Sequence, residues 1–160
     1  MPGGTPMVRT EKTVDERRQT AGDAAVDGLL AGAAAGMAMA AYLVVIGLVA
    51  GEGPAVVVAR FDPSGAGAAS PLIGALMHLA VSAVYGLLFG LIYRLIGRGR
   101  LAGRAAGALM GLVYGLALLL VAQGLALISA GVPLREISAV HFALAHLIYG
   151  LVLGWLVARS

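Results

Sequence analysis

The chain contains no cysteine, which excludes disulfides, thiolate metal sites and cysteine nucleophiles. Charged residues are also scarce, at 12% of the 160 positions, or about half of the fraction usual in soluble domains. Hydrophobic residues make up 60% of the sequence, and the mean hydropathy is +0.93. A single small soluble domain would leave much of this apolar surface in water. The composition therefore indicates a protein that folds in lipid.

Several signatures of enzymes and transporters are missing as well. The sequence has no GxxxxGK[ST] phosphate loop, no HExxH zinc motif and no GxSxG nucleophile motif. No carboxylate lies in the interior of a long apolar run, where ion-coupled transporters carry one. Basic residues are not interleaved with aromatic ones, so nucleic acid is not an expected partner. These absences favour a membrane protein that is not an enzyme.

Four long apolar runs are present, of 24, 25, 25 and 22 residues, and none has a charged residue in its interior. As helices they would be roughly 33–38 Å long, enough to cross a hydrocarbon core of about 30 Å. The sequence thus predicts an all-α polytopic membrane protein, a four-helix transmembrane bundle behind a polar cytoplasmic tail at 1–26. Asp27 is predicted to cap the first span. The predicted spans are 27–50, 72–96, 105–129 and 137–158.

The basic residues are distributed unevenly between the two sides of these spans. Nine of the eleven lie in the N-terminal tail, around the connection between spans two and three, or after span four. The other two, Arg60 and Arg135, lie in the remaining loops, each close to an acidic residue. Since cytoplasmic segments are enriched in Lys and Arg, both termini are predicted to be cytoplasmic, in a bacterial inner membrane.

The longest connection, residues 51–71, lies on the opposite, outer side by this reasoning. It contains turn signals at Gly53-Pro54 and Asp62-Pro63 and an apolar stretch at 55–59. That stretch is predicted to lie either at the lipid interface or on the mouth of the bundle. Loops of this length are functional or disordered, and the sequence does not distinguish the two.

Two segments of the chain are similar to each other. PLIGALMHLAVSAVYGLLFGL begins at residue 71 and PLREISAVHFALAHLIYGLVLGW at residue 133, and both contain Pro-Leu, a histidine and Tyr-Gly-Leu in that order. When Tyr85 is aligned with Tyr149, Gly90 matches Gly154 and Ser82 matches His146. The pattern is typical of a tandem duplication of a helical hairpin.

Glycines recur at four-residue intervals in every predicted span, and residues four apart share one helix face. In lipid, helices associate through small residues that let their backbones approach closely. A tightly packed bundle without a wide aqueous pore is therefore expected. The predicted packing residues are Gly32, Gly36, Gly86, Gly90, Gly107, Gly111, Gly150 and Gly154.

The three histidines, His78, His141 and His146, are the candidate ligand-binding residues because they lie inside predicted spans. In one interpretation each imidazole hydrogen-bonds a main-chain carbonyl, Ser82, Gln123 or a tyrosine across a helix interface. In the other, His78 and a second histidine converge on a haem iron, a divalent metal or a quinone head group. The first interpretation is favoured. The cofactor stays unknown, with haem b possible but not favoured.

Three segments carry a resemblance to a known family: DGLLAGAAAG at 27–36, LIGALMHLAVSAVYGLLFGL at 72–91 and HFALAHLIYGLVLGWL at 141–156. With them the chain resembles an uncharacterised family of small bacterial four-helix integral membrane proteins. The resemblance implies a fold and a membrane location, and no reaction.

The function expected from these observations is that of an accessory or structural subunit of a larger inner-membrane assembly, or of a homo-oligomer. Its expected partners are the lipid bilayer and other membrane chains, or copies of itself. One alternative is a redox subunit that binds haem or quinone through the transmembrane histidines. A second alternative is a transporter of small molecules or lipids with a cavity beneath the 51–71 loop.

Overall fold

A computed structural model describes residues 20–64, 69–96, 103–128 and 137–159. All regular secondary structure in these ranges is helical. Four of the five helices are long and apolar enough to cross a membrane, and only the short α2 is not. This confirms the prediction of an all-α bundle with four membrane-spanning helices. The helices are α1 (Ala21–Val49), α2 (Pro54–Ala59), α3 (Pro71–Ile96), α4 (Arg104–Ile128) and α5 (Ala139–Val157).

The first helix begins earlier than the apolar run predicts, and Asp27 does not cap it. Thr20 is the N-cap: its hydroxyl accepts a hydrogen bond from the Asp23 N–H at 3.1 Å. The Asp23 carboxylate in turn accepts one from the Thr20 N–H at 2.8 Å. This reciprocal pair satisfies two N–H groups that a helix start leaves free, so Asp27 lies in the second turn. The predicted boundary at 26/27 is therefore a change of composition inside one continuous helix.

The long helices form two antiparallel pairs, α1 with α3 and α4 with α5, and the pairs join along α1 and α5. Close backbone contact is largely absent between α3 and α4. Aromatic side chains bridge them instead, with the Phe89 and Tyr114 ring centroids 5.1 Å apart. The bundle therefore has two closely packed helix pairs that contact each other along α1 and α5. Large side chains fill the space between α3 and α4.

The interior is built from α1, α3 and α5, while large apolar side chains point outward from all four long helices. Leu30, Leu76, Val113 and Val140 are each at least 60% exposed. A soluble protein does not expose apolar surface on every side, whereas lipid favours it. The buried core consists of Ala31, Ala35, Met39, Leu43, Val57, Phe89, Ala145, Tyr149, Leu153 and Val157.

Glycines allow the backbones of α1 and α3 to touch. A methyl group at Gly32 would lie 2.6 Å from the Cα of Gly86, and one at Gly90 would lie 2.9 Å from the Cα of Gly28. Gly36 faces the side chain of Ser82 in the same way. No side chain fits at such distances, so only glycine permits this packing.

The pair α4 and α5 repeats the arrangement. A methyl group at Gly111 would lie 2.8 Å from the Cα of Gly154, and one at Gly150 would meet the carbonyl of Gly111. Gly107 faces Ala158 and the carbonyl of Gly154. The glycines that the sequence singles out for helix packing thus lie at the two closest helix interfaces.

Candidate functional site at the α2 end of the bundle

The loop after α1 folds back onto the bundle through contacts with two glycines. Gly51, with φ of +83°, turns the chain at the end of α1. A methyl group at Gly47 would collide with the side chain of Val57, and one at Gly74 with the carbonyl of Val58. Of the two placements predicted for residues 55–59, the structure thus shows packing on the mouth of the bundle.

A buried carboxylate fixes the end of this loop to the start of α3. Asp62 is only 1% exposed, and it accepts hydrogen bonds from the Ser64 N–H at 2.9 Å and the Ser70 N–H at 2.7 Å. The Ser64 hydroxyl donates a third. These donors, the hydroxyl foremost, hold the pKa of Asp62 below its usual value.

A bidentate ion pair closes the other side of the loop. The Arg60 guanidinium donates to the two Glu52 oxygens at 2.8 and 2.6 Å. The hydrogen bond from Arg60, together with its charge, lowers the pKa of Glu52, although partial burial opposes the shift. Forked arginine–carboxylate pairs of this kind restrict geometry as well as attract.

These carboxylates make the packing of the loop depend on pH. Because both have folded-state pKa values below the unfolded ones, their contribution is present above the unfolded values, about pH 4. It is lost as the pH falls through the folded values. The protection factors of the amides at 55–62, which correct for the pH dependence of intrinsic exchange, are therefore expected to fall in detergent below about pH 4. The double variant Glu52→Gln/Asp62→Asn should exchange fast already at neutral pH and show no such transition.

His78 lies directly under the loop. Its Nε2 donates to the carbonyl of Gly36 on α1 at 2.9 Å, and its ring stacks on Phe61 with centroids 4.4 Å apart. Because a carbonyl only accepts hydrogen bonds, Nε2 carries the proton. To coordinate a metal or a haem iron through Nε2, the imidazole would have to give up this bond.

The other two histidines have different partners. His141 is joined through Nδ1 to the hydroxyl of Tyr42 at 2.9 Å. His146 is buried, and its Nδ1 donates to the carbonyl of Phe142, one turn earlier on its own helix, at 2.9 Å.

His78 and His141 therefore have partners across a helix interface, a carbonyl and a tyrosine, as the favoured interpretation expects, whereas the bond of His146 lies within its own helix. His78 and His141 both bond to α1, but at Gly36 and Tyr42, which are six residues apart. The structure does not bring them to one common partner. Within the described ranges, no three His, Cys, Asp or Glu side chains are grouped so that they could hold a metal ion.

Two tyrosines add polar links at mid-membrane depth. The Tyr149 hydroxyl donates to the carbonyl of Ser82 at 2.7 Å, and the Tyr114 hydroxyl donates to the carbonyl of Tyr85 at 2.9 Å. Both bonds tie the second helix pair to α3. The mid-span position of these tyrosines is the sequence signal for such links, because a buried hydroxyl needs a partner.

Loss of one such bond is expected to have a small effect. Interhelical hydrogen bonds in membrane proteins contribute about 0.6 kcal/mol on average, and about 1.7 at most, because the same groups also find partners in the unfolded state within the membrane. We expect Tyr149→Phe to lower the free energy of unfolding by about that amount in a detergent titration. Tyr93→Phe is the matched control and should change nothing measurable. A loss several times larger would mean that Tyr149 does more than link two helices.

The roles of Phe61 and Asp62 were not predicted from the sequence. Their only sequence signal is the Asp-Pro turn in a long loop, which predicts a turn and no burial.

Comparison of the chain with protein-family models, curated proteins and solved structures gives no match. The resemblance to a four-helix membrane family therefore stays a prediction.

Proposed function

We propose that this chain is a non-catalytic integral membrane subunit that acts by packing, in a homo-oligomer or as an accessory chain of a larger assembly. The supporting observation is where its polar groups lie. The histidines and the mid-membrane tyrosines Tyr114 and Tyr149 are bonded to carbonyls or to a tyrosine inside the chain. The outward surface of the long helices is mostly apolar, and such a surface can pack against lipid and neighbouring helices.

The assembly itself is tested by extraction from native membranes in a mild detergent, followed by light scattering and mass spectrometry. The expected result is a defined species larger than one chain, made of identical copies or of stable partners. That species should persist on dilution. A monomer at every protein concentration, with no partner chain, would contradict the proposal.

The proposed location is a bacterial inner membrane, with both termini and the 97–102 connection in the cytoplasm. Support comes from the nine basic residues on that side against two on the other. Because the chain lacks cysteine, single cysteines can report the topology. In intact cells, Ala66→Cys should react with a membrane-impermeant maleimide and Ser160→Cys should not. The reverse labelling would invert the topology.

A tandem duplication of a helical hairpin is proposed as the origin of the bundle. Gly28 faces the carbonyl of Gly86 and the Cα of Gly90, while Gly111 faces the carbonyl of Gly150 and the Cα of Gly154. These are the pairs that the alignment of Tyr85 with Tyr149 matches. The two helix pairs therefore use the same kind of glycine contact at aligned positions of α3 and α5.

The redox and transport alternatives have less support in the geometry. A redox site through His78 and His141 would have to use Nδ1 of His78 and Nε2 of His141, because the other ring nitrogens are bonded to Gly36 and Tyr42 on α1. A transport cavity beneath the loop would lie where Val57 and Phe61 pack on the bundle. A visible spectrum after expression with excess haem tests the redox version, which predicts a Soret band.

A further inference from the structure

The two helix pairs differ in charge at the end of the bundle opposite α2. On the first pair, Gly90 near the end of α3 faces Ala24 near the start of α1. This brings Arg94 to the end that also carries Asp23 and Asp27, and each of these three residues makes further interactions. The first pair therefore has one arginine with two acidic residues.

Among the residues that the structure describes, the second pair carries arginines and no acidic side chain at this end. Gly107 contacts Ala158, so Arg104, one turn before Gly107, lies at the same end of the pair as Arg159, which follows Ala158. Both arginines are exposed. The sequence from 103 to 159 contains a single acidic residue, Glu136, which precedes the first residue of α5 in the chain, whereas Arg159 follows its last.

An aromatic ring holds one of these arginines at the edge of the apolar surface. The Arg159 guanidinium carbon lies 4.3 Å from the centroid of Trp155, which is 42% exposed. Tryptophan concentrates at the membrane–water interface. A guanidinium stacked on a ring still has its in-plane N–H groups available for a phosphate.

From this arrangement we infer that Arg104, Arg159 and Trp155 form a binding site for an anionic phosphate group, the head group of an acidic phospholipid. The two arginines provide charge and forked donors, and the indole provides a surface for the start of the acyl chains. A zwitterionic lipid fits less well, because its ammonium or choline group would lie beside two positive charges. On the described part of the first pair the arrangement differs, because Asp23 and Asp27 lie at the same end as Arg94.

The single tryptophan of the chain makes the site directly measurable. The protein is reconstituted in phosphatidylcholine vesicles that contain a minor fraction of brominated phosphatidylglycerol or, separately, of brominated phosphatidylcholine. Bromine quenches tryptophan emission only at short range. The emission of each variant is divided by the emission of the same variant in vesicles without brominated lipid, so that differences in intrinsic emission between variants cancel. We expect roughly tenfold enrichment of phosphatidylglycerol over phosphatidylcholine near Trp155, since each basic residue at the membrane surface adds to the attraction of acidic lipids.

Two double variants with the same change of net charge distinguish lipid binding at this site from general electrostatic attraction of acidic lipids to the protein. In Arg104→Gln/Arg159→Gln, the emission of Trp155 should be quenched equally by both brominated lipids. In Arg98→Gln/Arg100→Gln, most of the preference for phosphatidylglycerol should remain. Equal loss in both variants, or no loss in the first, would overturn the proposal. Quenching by brominated phosphatidylcholine should be the same in all variants, which shows that each still inserts.

Inorganic phosphate distinguishes the two sources of the anion. If the site binds the lipid, sodium phosphate should reduce the preference no more than sodium chloride of equal ionic strength. Displacement by phosphate alone would overturn the lipid assignment and indicate a site for the free anion.

Discussion

Replacing Gly86 with alanine is expected to separate α1 from α3 and so to destabilise the fold. The added methyl group would overlap the backbone of Gly32, including its Cα, and neither backbone can move away without separating the helices. Overpacking costs about 1–3 kcal/mol even where side chains adjust, and here the obstacle is main chain. We expect the free energy of unfolding in detergent to fall by about 3 kcal/mol or more.

Gly124→Ala on α4 is the matched control. It is the same substitution in a membrane-spanning helix, but nothing lies within 4 Å of the added methyl group. Helix propensity alone should make it neutral or stabilising by up to about 1 kcal/mol. Unfolding is followed by the emission of Trp155 during titration with a denaturing detergent. Equal effects at Gly86 and Gly124 would show that close backbone contact is not what holds the pair together.

Replacing Gly74 with alanine is expected to detach the loop without unfolding the bundle. The new methyl group would overlap the carbonyl of Val58 and crowd the N–H of Asp62, so residues 54–62 must move off α3. Phe61 would then leave the ring of His78. We expect hydrogen exchange of residues 54–62 to rise by one to two orders of magnitude, because a local opening exposes those amides.

The α1–α3 and α4–α5 contacts should keep their protection in this variant, since none of them involves Gly74. Gly53→Ala serves as the control, because Gly53 has φ of −74° and nothing within 4 Å of the added methyl group. Unchanged exchange in Gly74→Ala would mean that the loop does not rest on α3 in solution. Faster exchange throughout α1 and α3 would mean that the loop and the bundle unfold as one unit.

Elements that depend on composition and spacing could be predicted from the sequence. The four long helices follow from the apolar runs, and the packing glycines from their four-residue interval. The start of α1 was predicted six residues late, at Asp27, because the polar first turns resemble a tail. The capping box of Thr20 and Asp23 is the signal that would have placed it.

Features that depend on long-range contacts could not be predicted. The joint between α1 and α5 brings together small residues such as Ala35 and Ala145, which have no distinctive spacing. The burial of Asp62 requires the loop to return to Ser70, and its sequence shows only a turn. The partners of His78 and His141 agree in type with the prediction, but their identities depend on helix registers that a single sequence does not determine. His146 differs, because it bonds to Phe142 in its own helix.

Lipid is expected to surround the four long helices α1, α3, α4 and α5, and alkaline extraction of membranes tests this claim most directly. Chains that cross the bilayer remain in the membrane pellet at high pH and enter solution only when detergent is added. We predict that this chain stays in the pellet. Recovery of folded, monomeric protein in plain buffer would contradict the claim, because the outward faces of all four long helices would then have to be stable in water.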